Sequence, residues 1–357
     1  MKPLRGGPGN MTGPTSSRKL DHLTLCAETD VAFGDAGFSD VRLVHNAVPE
    51  CAVSDIDTRT VFLGRELAAP LFLAGMTGGH PDTAEVNKTL AAAAERFGIP
   101  MGVGSQRAAL ENPELEDSFT IVRDTAPSAF LAGNISAVQL RDHGLEWAER
   151  AVSMIDADAL CIHLNFLQEM IRTEGDRSAA GILETIREAS RELSVPVIVK
   201  ETGSGISREA AAALYNAGAA AIDVGGFGGT SWAKIEKARA SDKTHQMLGD
   251  TFLEWGIPTA VSVFEVAQVG ACPVIATGGL KNGLDAAKAL ALGADMAGMA
   301  LTLLPDALKG YDALFSRIET VCTELKTAMF LTGAQNISAL GKVRYYLTGT
   351  VREMTNK

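Results

Sequence analysis

Along residues 70–279 a short apolar run, a glycine or polar tip and an amphipathic, alanine-rich segment recur in fixed order. The runs are PLFLAG (70–75), IPMGVG (99–104), AFLAGN (129–134), DALCIHL (158–164), PVIVKE (196–201), AAIDVGG (220–226), PTAVS (258–262) and PVIATGG (273–279). They are apolar almost throughout rather than alternating, which is the pattern of parallel strands buried on both faces. Between and after them, segments such as VNKTLAAAAERFG, AAGILETIREASREL, SREAAAALYNAG and GLDAAKALALG carry helical spacing. Three of these close on Gly98, Gly218 and Gly293, where a left-handed glycine would end a helix. Eight such units in roughly 230 residues predict a (β/α)8 TIM barrel; a doubly wound open sheet is the second choice. Residues 12–69 read as an N-terminal extension with hairpin-like polar strands, and 309–357 as C-terminal helices. Neither is apolar enough for an independent core, so both are expected to cover the barrel or reach over its mouth. The expected organisation is a disordered Gly/Pro-rich leader over 1–17, with Met11 as a second candidate start. A single domain follows over 18–357, its barrel core at about 70–308.

Composition narrows the function classes. Lys plus Arg number 32 against 43 Asp plus Glu, for a net charge of −11, which argues against a general nucleic-acid binder but not against a local phosphate pocket. The five cysteines are odd in number and lack CxxC spacing, so neither a disulfide framework nor a zinc site is expected, and a reducing cytoplasm fits. No secretory signal opens the chain. The longest apolar run, MAGMALTLL at 296–304, is far too short to span a bilayer.

In such a barrel the chemistry lies at the C-terminal ends of the strands. The tips are MTGG (76–79), GSQR (104–107), GN (133–134), HLNFLQE (163–169), KETGSGIS (200–207), DVGGFGGTSW (223–232), SVFE (262–265) and TGGLKNG (277–283). The tips after the sixth and eighth runs are both Gly-rich. Converging glycine loops, with Thr230 and Lys281 beside them, favour a phosphate over plain tight turns. HLNFLQE ends an apolar strand with His163, Asn165, Gln168 and Glu169, groups that are costly to bury without partners. Asn165 shares a strand face with His163, and Glu169 suits a hard divalent cation that also takes substrate phosphates. Lys200 closes the VIVKE strand as a Schiff-base amine, a general base or an anion partner, unless Glu201 merely neutralises it. Ser105 and Asn134 point into the same mouth. Arg18, Lys19 and His22 in SRKLDH form a solvated basic face, or a phosphate clamp if the extension folds over the mouth.

RKLDH, MTGG, GVGSQR, HLNFLQE, KETGSGIS, GGTSW, GGLKNG and TAMFLTGA (327–334), in this order, resemble the type 2 isopentenyl-diphosphate isomerases from about Arg18 to about Gly349. The resemblance implies an FMN enzyme that interconverts isopentenyl and dimethylallyl diphosphate in isoprenoid synthesis. It implies FMN contacts at Gly75, Met76, Thr77, Ser105, Asn134 and Lys200, and FMN-phosphate contacts at Thr230, Gly279 and Lys281, with Ala300 and Leu301 nearby. The substrate diphosphate would be held by Arg18, Lys19, His22, Arg107 and Asn165, with Mg2+ bound through Glu169. His163 and Gln168 would line the prenyl site, and Glu236 would support the mouth. The implied chemistry is acid–base catalysis beside reduced FMN, with NADPH as reductant, in a homotetramer or homo-octamer. Lys281, Phe227, Ser136, Val138 and Phe166 depart from the family's frequent residues without removing a reacting group.

Two rival enzymes are weighed against this. A 2-hydroxy-acid oxidase would need a His/Arg pair at the mouth, and no His–Gly–Gly–Arg-like segment occurs. An inosinate-dehydrogenase-like enzyme would need a loop cysteine, whereas Cys161 and Cys272 fall within or just before strands. A flavin-binding sensor or scaffold would leave 163–169 without a purpose.

Overall fold

The computed structural model describes residues 14–355; residues 1–13, most of the expected leader, lie outside them. Eight parallel strands close into a barrel: β1 (Leu71–Leu73), β2 (Met101–Gly102), β3 (Leu131–Ser136), β4 (Ala159–Leu164), β5 (Val197–Glu201), β6 (Ala221–Asp223), β7 (Val274–Ala276) and β8 (Met296–Met299). Neighbours pair in sequence order, and β8 returns to β1 with Ala297 opposite Leu71.

Two of the expected strands are reassigned. PTAVS is not a strand: Thr259–Ala267 is a helix, with Thr259, Ala260, Val261, Ser262, Val263 and Val266 all buried. A helix apolar on every side cannot be told from a buried strand by periodicity, and its β-branched residues bias the reading toward a strand. Its hydroxyls need internal partners, and Thr259 donates to the Gly278 carbonyl (2.6 Å) while Ser262 donates to that of Ile206 (2.7 Å). PVIATGG therefore supplies the seventh strand, and the eighth comes from MAGMALTLL, which is short for a membrane but long enough for a strand. The two Gly-rich tips accordingly follow β6 and β7, and SVFE lies within a helix.

Strand alternation sets the layers. Phe72, Ala132, Ala159, Cys161, Ile198, Ala221, Ile275 and Met296 fill the barrel axis in one apolar cluster. Leu73, Met101, Leu131, Leu160, Ile162, Val199, Ile222 and Val274 face the helices in another. Continuing the inward series two residues further brings Asn134, His163, Lys200, Asp223 and Thr277 to the mouth.

The extension begins with a helix, Pro14–Glu28, where polar strands were expected. A hairpin does follow, Thr60–Phe62 against Arg65–Leu67, and its Phe62 and Leu67 join the axial cluster. Val41–Leu43 pairs with Tyr345–Leu347, which ties the extension to the C-terminal helices Tyr311–Thr332, Ile337–Leu340 and Gly349–Thr355. Gly98 caps its helix at φ 59°, and Gly218 and Gly293 also have positive φ, as the sequence implied. Among the described residues no helix is long and apolar enough to cross a membrane.

Ile275 is fully buried on the barrel axis, whereas Val48 is 68% exposed. Ile275→Ala should cost about 2–5 kcal/mol in chemical denaturation, and Val48→Ala less than about 0.5 kcal/mol. Equal effects would mean that β7 is misassigned.

Candidate active site

A cavity of about 280 Å³ opens at the C-terminal ends of the strands. Its wall brings together nearly every residue singled out in the sequence: Gly75, Met76, Thr77, Ser105 and Arg107 from the first two tips, then Asn134, His163, Asn165, Gln168, Glu169 and Lys200. Thr230, Gly279, Lys281, Ala300 and Leu301 complete the far side, while Lys19 and His22 descend from the N-terminal helix. The extension thus does fold over the mouth. The side chain of Arg18 lies outside the described residues. Glu236 is not on the wall; it is 1% exposed and stands directly behind it.

One end of the cavity is built from backbone. A Cβ on Gly229 would lie 2.4 Å from the Gly279 nitrogen, so the loops after β6 and β7 meet main chain to main chain. Phe33 donates to the Gly229 carbonyl (3.0 Å) and Ser231 to that of Val31 (2.9 Å), which fixes the first loop against the extension. Such a wall, with Lys281 and Thr230 beside it, has the character of a phosphate cradle. Phe227 fits this loop because Gly34 leaves room for its ring: a Cβ there would sit 2.2 Å from the Phe227 Cε1 atom. Ser136 is a helix cap, accepting from the Gln139 amide (3.1 Å) in a reciprocal pair.

The middle of the mouth carries the polar groups of the central strand ends. Asn134 donates through Nδ2 to the Val103 carbonyl (2.9 Å), so its Oδ1 is left to accept from His163 Nδ1 at 2.8 Å. That places a proton on Nδ1, so the neutral form of the ring keeps its lone pair on Nε2. Burial, and then the charges of Lys19 and Lys200, push His163 down to about 3. Lys200 does not pair with Glu201 as the alternative reading expected. Its Nζ lies 3.1 Å from Asp223 Oδ2, because β5 and β6 place Lys200 opposite Asp223 while Glu201 points the other way. Asp223 also accepts from Thr277 Oγ1 and the Gly225 amide (3.3 Å). Glu201 Oε2 instead gathers the amides of Thr202 (2.7 Å), Gly203 (2.8 Å) and Ser204. Burial nevertheless raises the Glu201 carboxyl to about 7.

The opposite side is a hydrogen-bonded chain. Asn165 Nδ2 donates to Gln168 Oε1 (3.1 Å) and Glu169 Oε1 (2.9 Å), and Gln168 Nε2 donates to Glu236 Oε1 (2.7 Å). Arg239 Nη1 donates to Glu236 Oε2 (2.8 Å), and His22 Nε2 lies 3.2 Å from Oε1. Burial works against charge on Glu236, yet these donors outweigh it and hold the carboxyl down at about 2. Burial pushes His22 down as well. Glu169 Oε2 accepts from Arg172 Nη2 and from the Asp176 amide (2.9 Å). Arg107 Nε donates to Glu111 (2.6 Å).

Four partners were not singled out in the sequence: Asp223, Thr277, Arg172 and Arg239. Asp223 could have been found as the charge that interrupts AAIDVGG on the inward face. Arg172 and Arg239 stand three residues after Glu169 and Glu236, a spacing that brings side chains together on a helix. Cys161 and Cys272 are free thiols raised to about 12 and about 11, chiefly by burial, which suits neither for a nucleophile.

The chain matches the FMN-dependent dehydrogenase family over residues 26–117 and 146–346. A Methanoregula boonei protein named isopentenyl-diphosphate delta-isomerase is 58% identical, with 95% of this chain and 96% of that one covered. Proteins of the same name from Methanosarcina mazei (50% identical, 96% and 95% covered) and Archaeoglobus fulgidus (49%, 95% and 98%) are similar along the same length. Among solved structures, a lactate oxidase of Pediococcus acidilactici superimposes with a TM-score of 0.65 at 17% identity, covering 94% of this chain and 93% of that one. A mandelate oxidase variant gives 0.64 at 18%, covering 94% and 95%. The solved structures establish the fold alone.

Because the folded chain favours neutral His163, the unfolded chain binds a proton first as the pH falls below about 6.5. Stability from this site is therefore present above that pH and lost as the pH falls toward about 3. His163→Gln should shrink the fall in denaturation midpoint between pH 7.5 and 5, and an undiminished fall would refute the assignment.

Proposed function

From the premise that this chain belongs to the isopentenyl-diphosphate delta-isomerases, on the FMN-dependent dehydrogenase fold, we propose that it interconverts isopentenyl and dimethylallyl diphosphate by acid–base catalysis. The observation that carries the reading is the Asn165–Gln168–Glu236 chain at the mouth of an FMN-type barrel. The wall residues fit FMN: main chain and Lys281 at one end suit its phosphate, and Asn134 and Lys200 in the middle suit its ring edge. Reduced FMN, when bound, supplies an electron-rich ring that stabilises positive charge developing on the alkene and exchanges protons with it.

The chain's own residues organise the rest. Lys19, His22 and Arg107, with Arg18 and Asn165, bind the diphosphate, and the N-terminal helix shuts bulk water from the mouth. Gln168 is held at both ends of its amide, so it presents one orientation to the prenyl group. An amide hardly titrates, so Gln168 orients the substrate or relays a proton rather than acting as a strong acid. Glu236 lies behind the wall and does not line the cavity; it is a positioning residue whose charge anchors Gln168 and draws His22 toward it. His163 adds a neutral imidazole with an accepting Nε2. The double bond moves without net redox change: one proton adds to the alkene terminus and one leaves the allylic carbon.

NADPH as reductant, a homotetramer or homo-octamer, and a cytoplasmic location belong to the same proposal and rest on the family likeness. The donor set fits Mg2+ poorly. Glu169, the residue implied for the metal, already accepts from Asn165, Arg172 and the Asp176 amide, so an ion entering there would have to displace one of these donors. No step is drawn through a metal.

Purified protein loaded with FMN, reduced anaerobically with NADPH and supplied with isopentenyl diphosphate should yield dimethylallyl diphosphate by proton NMR. No product, with a 2-hydroxy acid reducing the flavin instead, would replace this reading with an oxidase. Gln168→Ala should lower kcat by about 10²-fold or more, as loss of a positioned proton-transfer partner does, while the flavin absorbance of the purified variant stays intact. Loss of flavin would instead make Gln168 structural.

A further inference from the structure

Arg172 lies just past the HLNFLQE helix and reaches back to the cavity wall. It is a buried cation: its side chain and that of Glu169 are each 8% exposed. One guanidinium nitrogen, Nη2, donates to Glu169 Oε2, and Nε has no hydrogen-bond partner in the structure, a Glu174 carboxylate oxygen lying 3.8 Å away. The Asp176 amide and Asn165 Nδ2 complete a ring of donors around Glu169. Asp176 is itself drawn to Arg141 Nη2 (3.4 Å), which holds the 172–176 turn in place.

The geometry points to Arg172 as a further substrate-binding residue that stands where a divalent cation would otherwise be needed. The inference rests on the diphosphate reading of the mouth. A lone carboxylate on the wall repels a diphosphate, and a Mg2+ ion bridging the two would cancel that repulsion. Here the guanidinium cancels it from within the protein, because it is always charged and already seated on Glu169. Its Nε–H is a buried donor without a partner, and such a group gains most from an anionic oxygen, which Arg binds at close range and in a fixed plane. A cation entering at Glu169 would have to displace the Arg172 contact or the Asn165 contact. Binding of the substrate anion therefore needs no added divalent ion.

The test uses FMN-loaded holoenzyme and inorganic pyrophosphate as the probe, with titration calorimetry in EDTA and again in Mg2+. Wild type should bind in EDTA within about threefold of its affinity in Mg2+. Arg172→Gln, which keeps a hydrogen-bonding partner for Glu169 but no charge, should bind about tenfold or more weakly in EDTA, a loss of the size expected for a charge-assisted contact. Mg2+ should restore that variant, and Arg172→Lys should fall between the two. Retained flavin absorbance certifies that each variant is folded. Wild type that binds pyrophosphate only with Mg2+, or Arg172→Gln that binds as well as wild type in EDTA, overturns the proposal. The KM for isopentenyl diphosphate should follow the same order with kcat little changed. If no isomerisation occurs even with Mg2+, the substrate reading fails while the pyrophosphate arm still decides the role of Arg172.

Discussion

A closed parallel sheet directs every second side chain of eight strands toward one axis, and the rest of this molecule depends on that constraint. Below the mouth the axis is dry and filled by Phe72, Cys161, Ile198, Ile275 and Met296. At the rim the same inward series turns polar, and adjacent strands must supply each other's partners. Asn134 serves His163, and Asp223 serves Lys200, because β3 to β6 lie in register side by side. The site is thus the top layer of the core rather than a decoration on it.

Behind that layer stands a second requirement. Gln168 has a defined orientation only because a buried anion, Glu236, holds its amide nitrogen, and Glu236 stays charged only because Arg239 and the other donors surround it. Charges of this kind are tolerated at a site and are expensive elsewhere. The N-terminal helix reaches into the same group through His22, so the cover over the mouth and Gln168 share one partner.

Much of this was legible in the sequence, for physical reasons. Strand tips must carry the chemistry of a parallel barrel, so HLNFLQE, KETGSGIS and the Gly-rich loops are legible as wall from the sequence alone. Strand count was legible, but strand identity was not: Thr259–Ala267 and Met296–Met299 exchange roles because a segment buried on nearly every side does not reveal its period. The N-terminal helix was missed because its polar sequence gives little periodic signal, and its packing comes from the mouth it covers. Pairing was the least legible. Lys200 and Glu201 are neighbours in sequence, but alternation sends them to opposite faces, and the true partner, Asp223, lies one strand away. Asp223 and Arg172 become visible only when charge is read against strand direction and helical spacing together.

The wall of the cavity draws on residues from Lys19 to Leu304, and the barrel closes only when Ala297 pairs with Leu71. Contacts of such long sequence separation form late. During synthesis the basic N-terminal helix emerges first, and the strand that closes the barrel, Met296–Met299, among the last elements. The cavity is therefore a property of the finished chain, complete only when its last wall residue, Leu304, has joined the rest.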